Sequence, residues 1–353
     1  MRSRTVDATL SLLLLTAGLR AQQVPSPPVK PYPYEVVPVD ALRGHLMEGK
    51  FKEPSGVFFD SYARELFVAD TKNALIGIFD AEGTPLFTFG GHALLSDPKQ
   101  VVALKDGTLY VLDAMQSSLK EFNYRGELRR TLPFAYPAIA GREAGSARIG
   151  AFTIDEAGNF YVADLDLPQV LVYDRNLEFK RAIGREGKNP FFSVITSVSV
   201  SPQGLIAVTD FKSTPVQIFD AAGRFVRGFG GRDIALEDFT APSAVTFDEE
   251  GYLYAVDMLR HNVKIFDIEG HFLTAFGGWF GPATGGRAPG EMLYPSSIAI
   301  APKGLIYVAE RFGDRVQLFR RLPREPGKAA PRLHIPPIPP IEKGGPKRST
   351  SGG

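Results

Sequence analysis

One strand pattern occurs six times along the chain, and it constrains the fold more than any other feature. It reads Leu66-Phe67-Val68-Ala69-Asp70, Leu109-Tyr110-Val111-Leu112-Asp113 and Phe160-Tyr161-Val162-Ala163-Asp164 in the first half. It returns as Ile206-Ala207-Val208-Thr209-Asp210, Leu253-Tyr254-Ala255-Val256-Asp257 and Ile306-Tyr307-Val308-Ala309-Glu310. β-Branched and aromatic residues in so short a run specify a buried strand, and the acid marks its end. Successive acids fall 43 to 53 residues apart, near the period of a four-stranded propeller blade. With 36 Gly and 28 Pro in 353 residues, many short strands joined by tight turns are expected rather than a helical bundle. The absence of cysteine excludes a disulfide framework, a thiolate metal site and a Cys nucleophile.

The same grammar surrounds every copy. Upstream lies a short innermost strand with small or neutral residues at one register: Gly56, Gln100, Ala151, Ser197, Ala244 and Ser297. Turns such as Asp155-Glu156-Ala157-Gly158 and Asp248-Glu249-Glu250-Gly251 join it to the repeated strand, with Gly supplying the positive φ of a tight hairpin. A third strand ends in Ile78-Phe79-Asp80 or Ile265-Phe266-Asp267, and an outer strand ends in Phe89-Gly90-Gly91 or Phe276-Gly277-Gly278. The sixth unit stops after Val316-Gln317-Leu318-Phe319, with Pro323 where its outer strand should begin. Tyr34-Glu35-Val36-Val37, continuing past Pro38, is the candidate replacement. Closing the ring in this way removes the exposed edges of an open array, and a proline is tolerated on an outermost strand. The expected fold is all-β: a six-bladed β-propeller of four-stranded antiparallel blades, its last blade closed by an N-terminal strand.

The ends read differently. Residues 1–21 have the form of a signal peptide: Arg2 and Arg4, an apolar stretch from Leu10 to Leu19, and a small-residue cut at Ala21. That stretch is too short for an ordinary membrane span. Residues 22–33 form a Pro-rich linker, 34–322 the propeller and 323–353 a Pro-rich, basic tail of disordered composition. Export to a periplasmic or extracellular location is expected, with no membrane span after processing. The formal net charge is +1. Basic residues concentrate at the two ends and leave the body mildly acidic, which argues against a nucleic-acid partner.

The repeat resembles the NHL repeat across roughly residues 51–322. The likeness is carried by the opening strand Pro295-Ser296-Ser297-Ile298-Ala299, the strand ending in Asp, the Phe-Asp pairs such as Phe219-Asp220, and the Phe-Gly endings. The resemblance implies a six-bladed propeller used mostly as a binding scaffold. It also implies two catalytic alternatives, a zinc-dependent amidating lyase and a calcium-dependent lactonase. A lyase would need several converging histidines. His261 occupies the fourth place after Asp257, where that family puts one ligand, but the equivalent places hold Ala74, Ser117, Pro168, Thr214 and Asp314. Calcium needs several carboxylates about the axis, and the innermost strands carry small or neutral residues there. No catalytic set, metal site or cofactor site is therefore expected.

A residue repeated in every blade is explained by the fold, so function is sought in residues that do not recur. The terminal acids belong to the first class, accepting N–H groups from the turn that follows; for Glu310 a second reading sends the longer side chain towards the axis. Unrepeated residues in the loops of one face include Lys72, Asp166, Lys212, Arg260, His261, Arg311, Phe312 and Asp314. The longest inter-blade loop adds Trp279 and Phe280. Trp279, Phe280, Arg260, His261, Arg311, Asp314 and Lys212 are the expected contact residues for a protein, peptide or glycan partner, since aromatics with nearby arginines make contact centres. Packing of Trp279 between the last two blades is the competing expectation.

Overall fold

Six four-stranded antiparallel sheets follow one another along the chain in the computed structural model. It describes residues 29–45, 47–139, 143–186, 189–278 and 288–325. The expected signal segment, most of the expected linker and tail, and both Trp279 and Phe280 lie outside the described residues. Pro31 onward forms one unit, apart from Met1–Lys30.

Blade one comprises Pro54–Asp60, Glu65–Asp70, Leu75–Asp80 and Pro85–Gly90. Blades two to five open on Pro98–Ala103, Ile149–Ile154, Ile195–Val200 and Pro242–Phe247, each followed in order by its three partners. Blade six contains Pro295–Ala301, Leu305–Glu310 and Arg315–Pro323, and its outer strand is the N-terminal Tyr34–Leu42. That strand runs antiparallel to Arg315–Pro323, from Tyr34 opposite Pro323 to Leu42 opposite Val316, with an irregularity between Pro38 and Asp40. The expected closure is therefore present.

Pairing also reaches further than the expected 34–322 limits. Arg324 donates its backbone N–H to the Pro33 carbonyl at 2.9 Å. Tyr32, placed by the sequence reading in the linker, is buried, with its hydroxyl 2.6 Å from that of Tyr254. An aromatic ring with a hydroxyl partner in the core outweighs the extended, Pro-rich character of its neighbours.

The apolar core is divided among six clusters, each filling the space between two neighbouring blades. The cluster joining blade six to blade one contains Leu42, Val57, Phe59, Tyr307 and Leu318, with Phe59 stacked on Tyr307 at 5.6 Å. A second contact recurs between neighbours. The outer strand of one blade presses an apolar side chain onto a hairpin glycine of the next. A Cβ on Gly126 would lie 2.3 Å from the Phe89 side chain, and one on Gly83 would lie 2.9 Å from that of Leu42. Both glycines also have positive φ, so only glycine suits the turn and the close approach. Leu42 thus does for blade six what Phe89 does for blade one, which confirms that Tyr34–Leu42 is a true blade strand.

Candidate functional site

Every blade carries the same irregularity on its innermost strand. Pairing with the second strand slips by one residue, at Ser55, Lys99, Gly150, Thr196, Ser243 and Ser296. A bulge re-aims the extra side chain, and here all six residues line one cavity of about 330 Å³. In four blades the residue after the terminal acid, Ala114, Leu165, Met258 or Arg311, lines the same cavity. It therefore lies on the axis at the end bearing the loops between second and third strands.

Polar groups at this end first hold the blades together. Thr196 Oγ1 donates to the Pro242 carbonyl at 2.9 Å, Ser243 Oγ to Pro295 at 3.2 Å and Ser296 Oγ to Ser55 at 3.0 Å. Between blades two and three the Gln100 amide bonds both the carbonyl and the N–H of Phe152. Innermost strands of neighbouring blades splay apart, and these side chains satisfy backbone groups that no ladder reaches.

The terminal acids form a second ring just outside the first. Asp70, Asp113, Asp164, Asp210, Asp257 and Glu310 are all buried. Each accepts backbone N–H bonds from the segment entering its own blade, as from Lys52 to Asp70 at 2.8 Å, from Asp97 to Asp113 at 2.9 Å and from Leu293 to Glu310 at 2.7 Å. Backbone N–H groups of the following turn, the donors expected from the sequence, reach Asp164, Asp210 and Asp257, while at Asp70 the turn contributes the Asn73 side-chain amide at 2.7 Å. Glu310 keeps to this pattern, pairing with Arg315 at 2.8 Å instead of reaching the axis.

Third-strand cations complete several of these sites: Lys120 lies 2.9 Å from Asp113 and Lys264 3.0 Å from Asp257. Burial alone would raise the Asp113 carboxyl, but Lys120 and the Ser96 and Asp97 N–H groups outweigh it and hold it below the usual range. Burial pushes Glu310 upward against the pull of Arg315.

Those expected contact residues that are described share the loop end but not one role. The Arg260 side chain is 7% exposed; its guanidinium donates to the Asp233 carbonyl, to that of Ala235 at 2.6 Å and to Thr240 Oγ1 at 3.2 Å. It braces the crossing from blade four to blade five. His261 adopts φ 56° in its hairpin and accepts the Tyr294 N–H on Nδ1 at 3.1 Å. Burial holds its imidazole below its ordinary value. Asp314 Oδ1 accepts the Glu53 N–H at 2.9 Å, tying blade six to blade one. Lys212 is exposed. Arg311 pairs with Glu53 at 3.0 Å, lies over the Phe312 ring at 5.4 Å and lines the axial cavity.

Two features of this end, Phe312 apart, were missed in the sequence. Lys99 lines the cavity in a position where the other blades carry Ser, Thr or Gly. A rim of exposed apolar side chains surrounds the mouth: Met115, Leu165, Phe211, Leu259 and Phe312, from blades two to six. Both were legible as departures from the repeat, had the copies been aligned one residue earlier and one loop later.

Among the described residues, no three His, Asp or Glu side chains gather as a metal-ligand set. The cavity offers hydroxyls and two cations, a donor set unsuited to a divalent ion.

No known family profile matches the chain. A stretch of 137 residues, 37% of this chain, is 29% identical to Protein brain tumor of Drosophila melanogaster and spans 12% of that protein's length. The chain thus covers only a small part of this curated relative. Among solved structures, a streptogramin B lyase superposes with a TM-score of 0.55 at 10% identity, covering 82% of this chain and 98% of that one. The virginiamycin B lyase of Staphylococcus aureus gives 0.54 at 11%, covering 81% and 99%. The hydrazine synthase of Kuenenia stuttgartiensis gives 0.53 at 14%, covering 79% and 98%. At such identities these likenesses establish a six-bladed propeller and nothing finer.

Proposed function

We propose that this is an exported NHL-type propeller serving as a non-catalytic scaffold, and that its loop end captures a protein, peptide or glycan partner. The observation that carries the reading is the rim of exposed apolar side chains from five blades around the axial mouth. Phe312 is 52% exposed and Phe211 41%. Large apolar groups gathered on one face mark an interaction surface, and a peptide chain suits a rim in which apolar positions alternate with Lys212 and Arg311. Export is supported by the composition of residues 1–21.

Two structural neighbours are named as lyases, which raises a propeller enzyme with a divergent axial site as the second reading. The described lining of the cavity holds no His, Asp or Glu, so a general base of the usual kind is not supplied there.

Photo-crosslinking residues placed at Phe211, Phe312 and, on the outer strand of blade one, Phe87 would test the scaffold reading in the native host. Adducts to a common partner are expected from the first two positions and not from Phe87. Adducts from Phe87 alone, or equally from all three, would remove the loop end as the contact surface.

A further inference from the structure

The rim does not account for the cavity beneath it. We infer that the axial cavity binds a small carboxylate carrying a short apolar group. The site lies beneath the rim, shares Leu165 and Arg311 with it, and does not depend on the scaffold reading.

The six bulge positions have a structural task that Ser, Thr or Gly performs in five blades. Lys99 alone brings a long charged side chain there. Its blade is already joined to the next through Gln100, so packing does not require the ammonium. The position after each terminal acid shows the same contrast: Thr71, Ala114, Leu165, Phe211 and Met258 are uncharged, and Arg311 is the exception.

Blades two and six flank blade one, so closure of the ring brings both cations to one arc of the cavity. The Lys99 ammonium is held below its ordinary value first by burial, and Arg311 and Lys72 lower it further, against Asp97. The guanidinium is therefore near enough to be felt. Each cation has one acidic partner, Asp97 at 3.3 Å for Lys99 and Glu53 at 3.0 Å for Arg311 Nε. Their remaining N–H groups, including both Nη groups of Arg311, make no hydrogen bond among the described residues. Lysine offers three donors and arginine five, in a fork that matches a carboxylate.

Away from the cations the lining is mixed: Ile149 and Leu165 of blade three and Met258 of blade five stand on either side of Thr196 and Ser197 of blade four. No carboxylate stands among the described lining residues. A cavity of about 330 Å³ lies at the small end of ligand pockets. Small, with two cations on one side and apolar side chains flanking hydroxyls elsewhere, it suits a short-chain organic acid or the C-terminal carboxylate of a peptide ending in an apolar residue.

Titration calorimetry on the full chain in low-chloride buffer separates these cases, with hexanoate, hexanol, hexylammonium, and acetyl-Gly-Leu as free acid or amide. Hexanoate or the peptide acid should bind, and the uncharged and cationic analogues should not. Binding of hexanoate assigns a free acid; binding of the peptide acid without hexanoate assigns a peptide terminus. Arg311→Gln and Lys99→Gln should each weaken binding roughly ten- to a hundredfold, the usual range for a charged hydrogen bond. Because Arg311 also contacts blade one, Ala114→Asp serves as a second variant, placing a competing carboxylate in the lining while leaving that contact intact. It should abolish binding with an unchanged melting curve. Equal binding of hexanol or of the amide, no binding of either acid at about 10 mM, or full binding by a folded Ala114→Asp protein would overturn the inference.

Discussion

Blades one and five hold a buried carboxylate at the same place and complete it from different parts of the chain. In blade five, Lys264 stands on the third strand, seven residues after Asp257, and reaches it at 3.0 Å. In blade one that strand position is Gly77, and His45 occupies the space. Its Nε2 lies 2.9 Å from Asp70 Oδ2, and a Cβ on Gly77 would come within 2.7 Å of its Nδ1. His45 follows directly on the strand that closes blade six. The N-terminal segment thus pairs with the last blade and then inserts into the first, so closure is a side-chain event as well as a strand pairing.

The comparison can be broken most severely in blade five. Lys264→Met should strand the Asp257 carboxylate in a buried site and cost about 3–5 kcal/mol, read as a lowered urea midpoint. Restoring charge balance with Asp257→Asn in the same chain should recover part of that loss.

In blade one, His45→Ala should cost about 2–3 kcal/mol, combining a lost buried hydrogen bond with the cavity left behind. The sharper form adds Gly77→Lys, which moves the partner onto the strand as in blade five. The double variant should be more stable than His45→Ala alone; the same change in the wild-type background should destabilise, because His45 already fills the space. A double variant no better than the single one would show that the two blades are not equivalent at this position.

The smallest effect is on pH dependence. The Asp113 carboxyl is depressed in the folded state. The stability this contributes is present above the unfolded pKa of ~3.9 and is lost as pH falls through the lower folded value. Removing the Lys120 cation with Lys120→Met should flatten the decline of melting temperature below about pH 4. An unchanged slope would mean that Asp113 is not held down by this pair.

How much of this was legible follows from where each partner lies in the sequence. The blades, their number and the closing strand were readable because each copy is a local pattern, a strand ending in an acid. The groups that satisfy those acids were not. Their N–H donors come from 16 to 18 residues earlier, across a whole hairpin, and His45 lies outside the repeat altogether. Lys99 was hidden by the bulge: the expected small-residue register begins one position later, at Gln100, and pairing patterns without bulges assign Lys99 no special direction. Arg260 was expected as a contact residue, and its bracing role was not legible because the carbonyls that bind it, at Asp233 and Ala235, belong to an irregular crossing with no sequence signature. Arg311 was singled out because it departs from its counterparts, and among the described expected contact residues it alone also lines the cavity.

Both the fold and the axial cavity depend on the first described strand completing the last sheet, since that brings Arg311 beside Glu53 and encloses the space. The native chain has no cysteine, so a single engineered pair reports on this without ambiguity. Val37 and Arg320 face each other across the closing pair. Val37→Cys with Arg320→Cys should oxidise to one intramolecular link under native conditions and raise the melting temperature. Val37→Cys with Arg227→Cys, on the outer strand of blade four, should not. A Val37–Arg320 pair that links only after denaturation, or no more readily than the control, would contradict the closed ring.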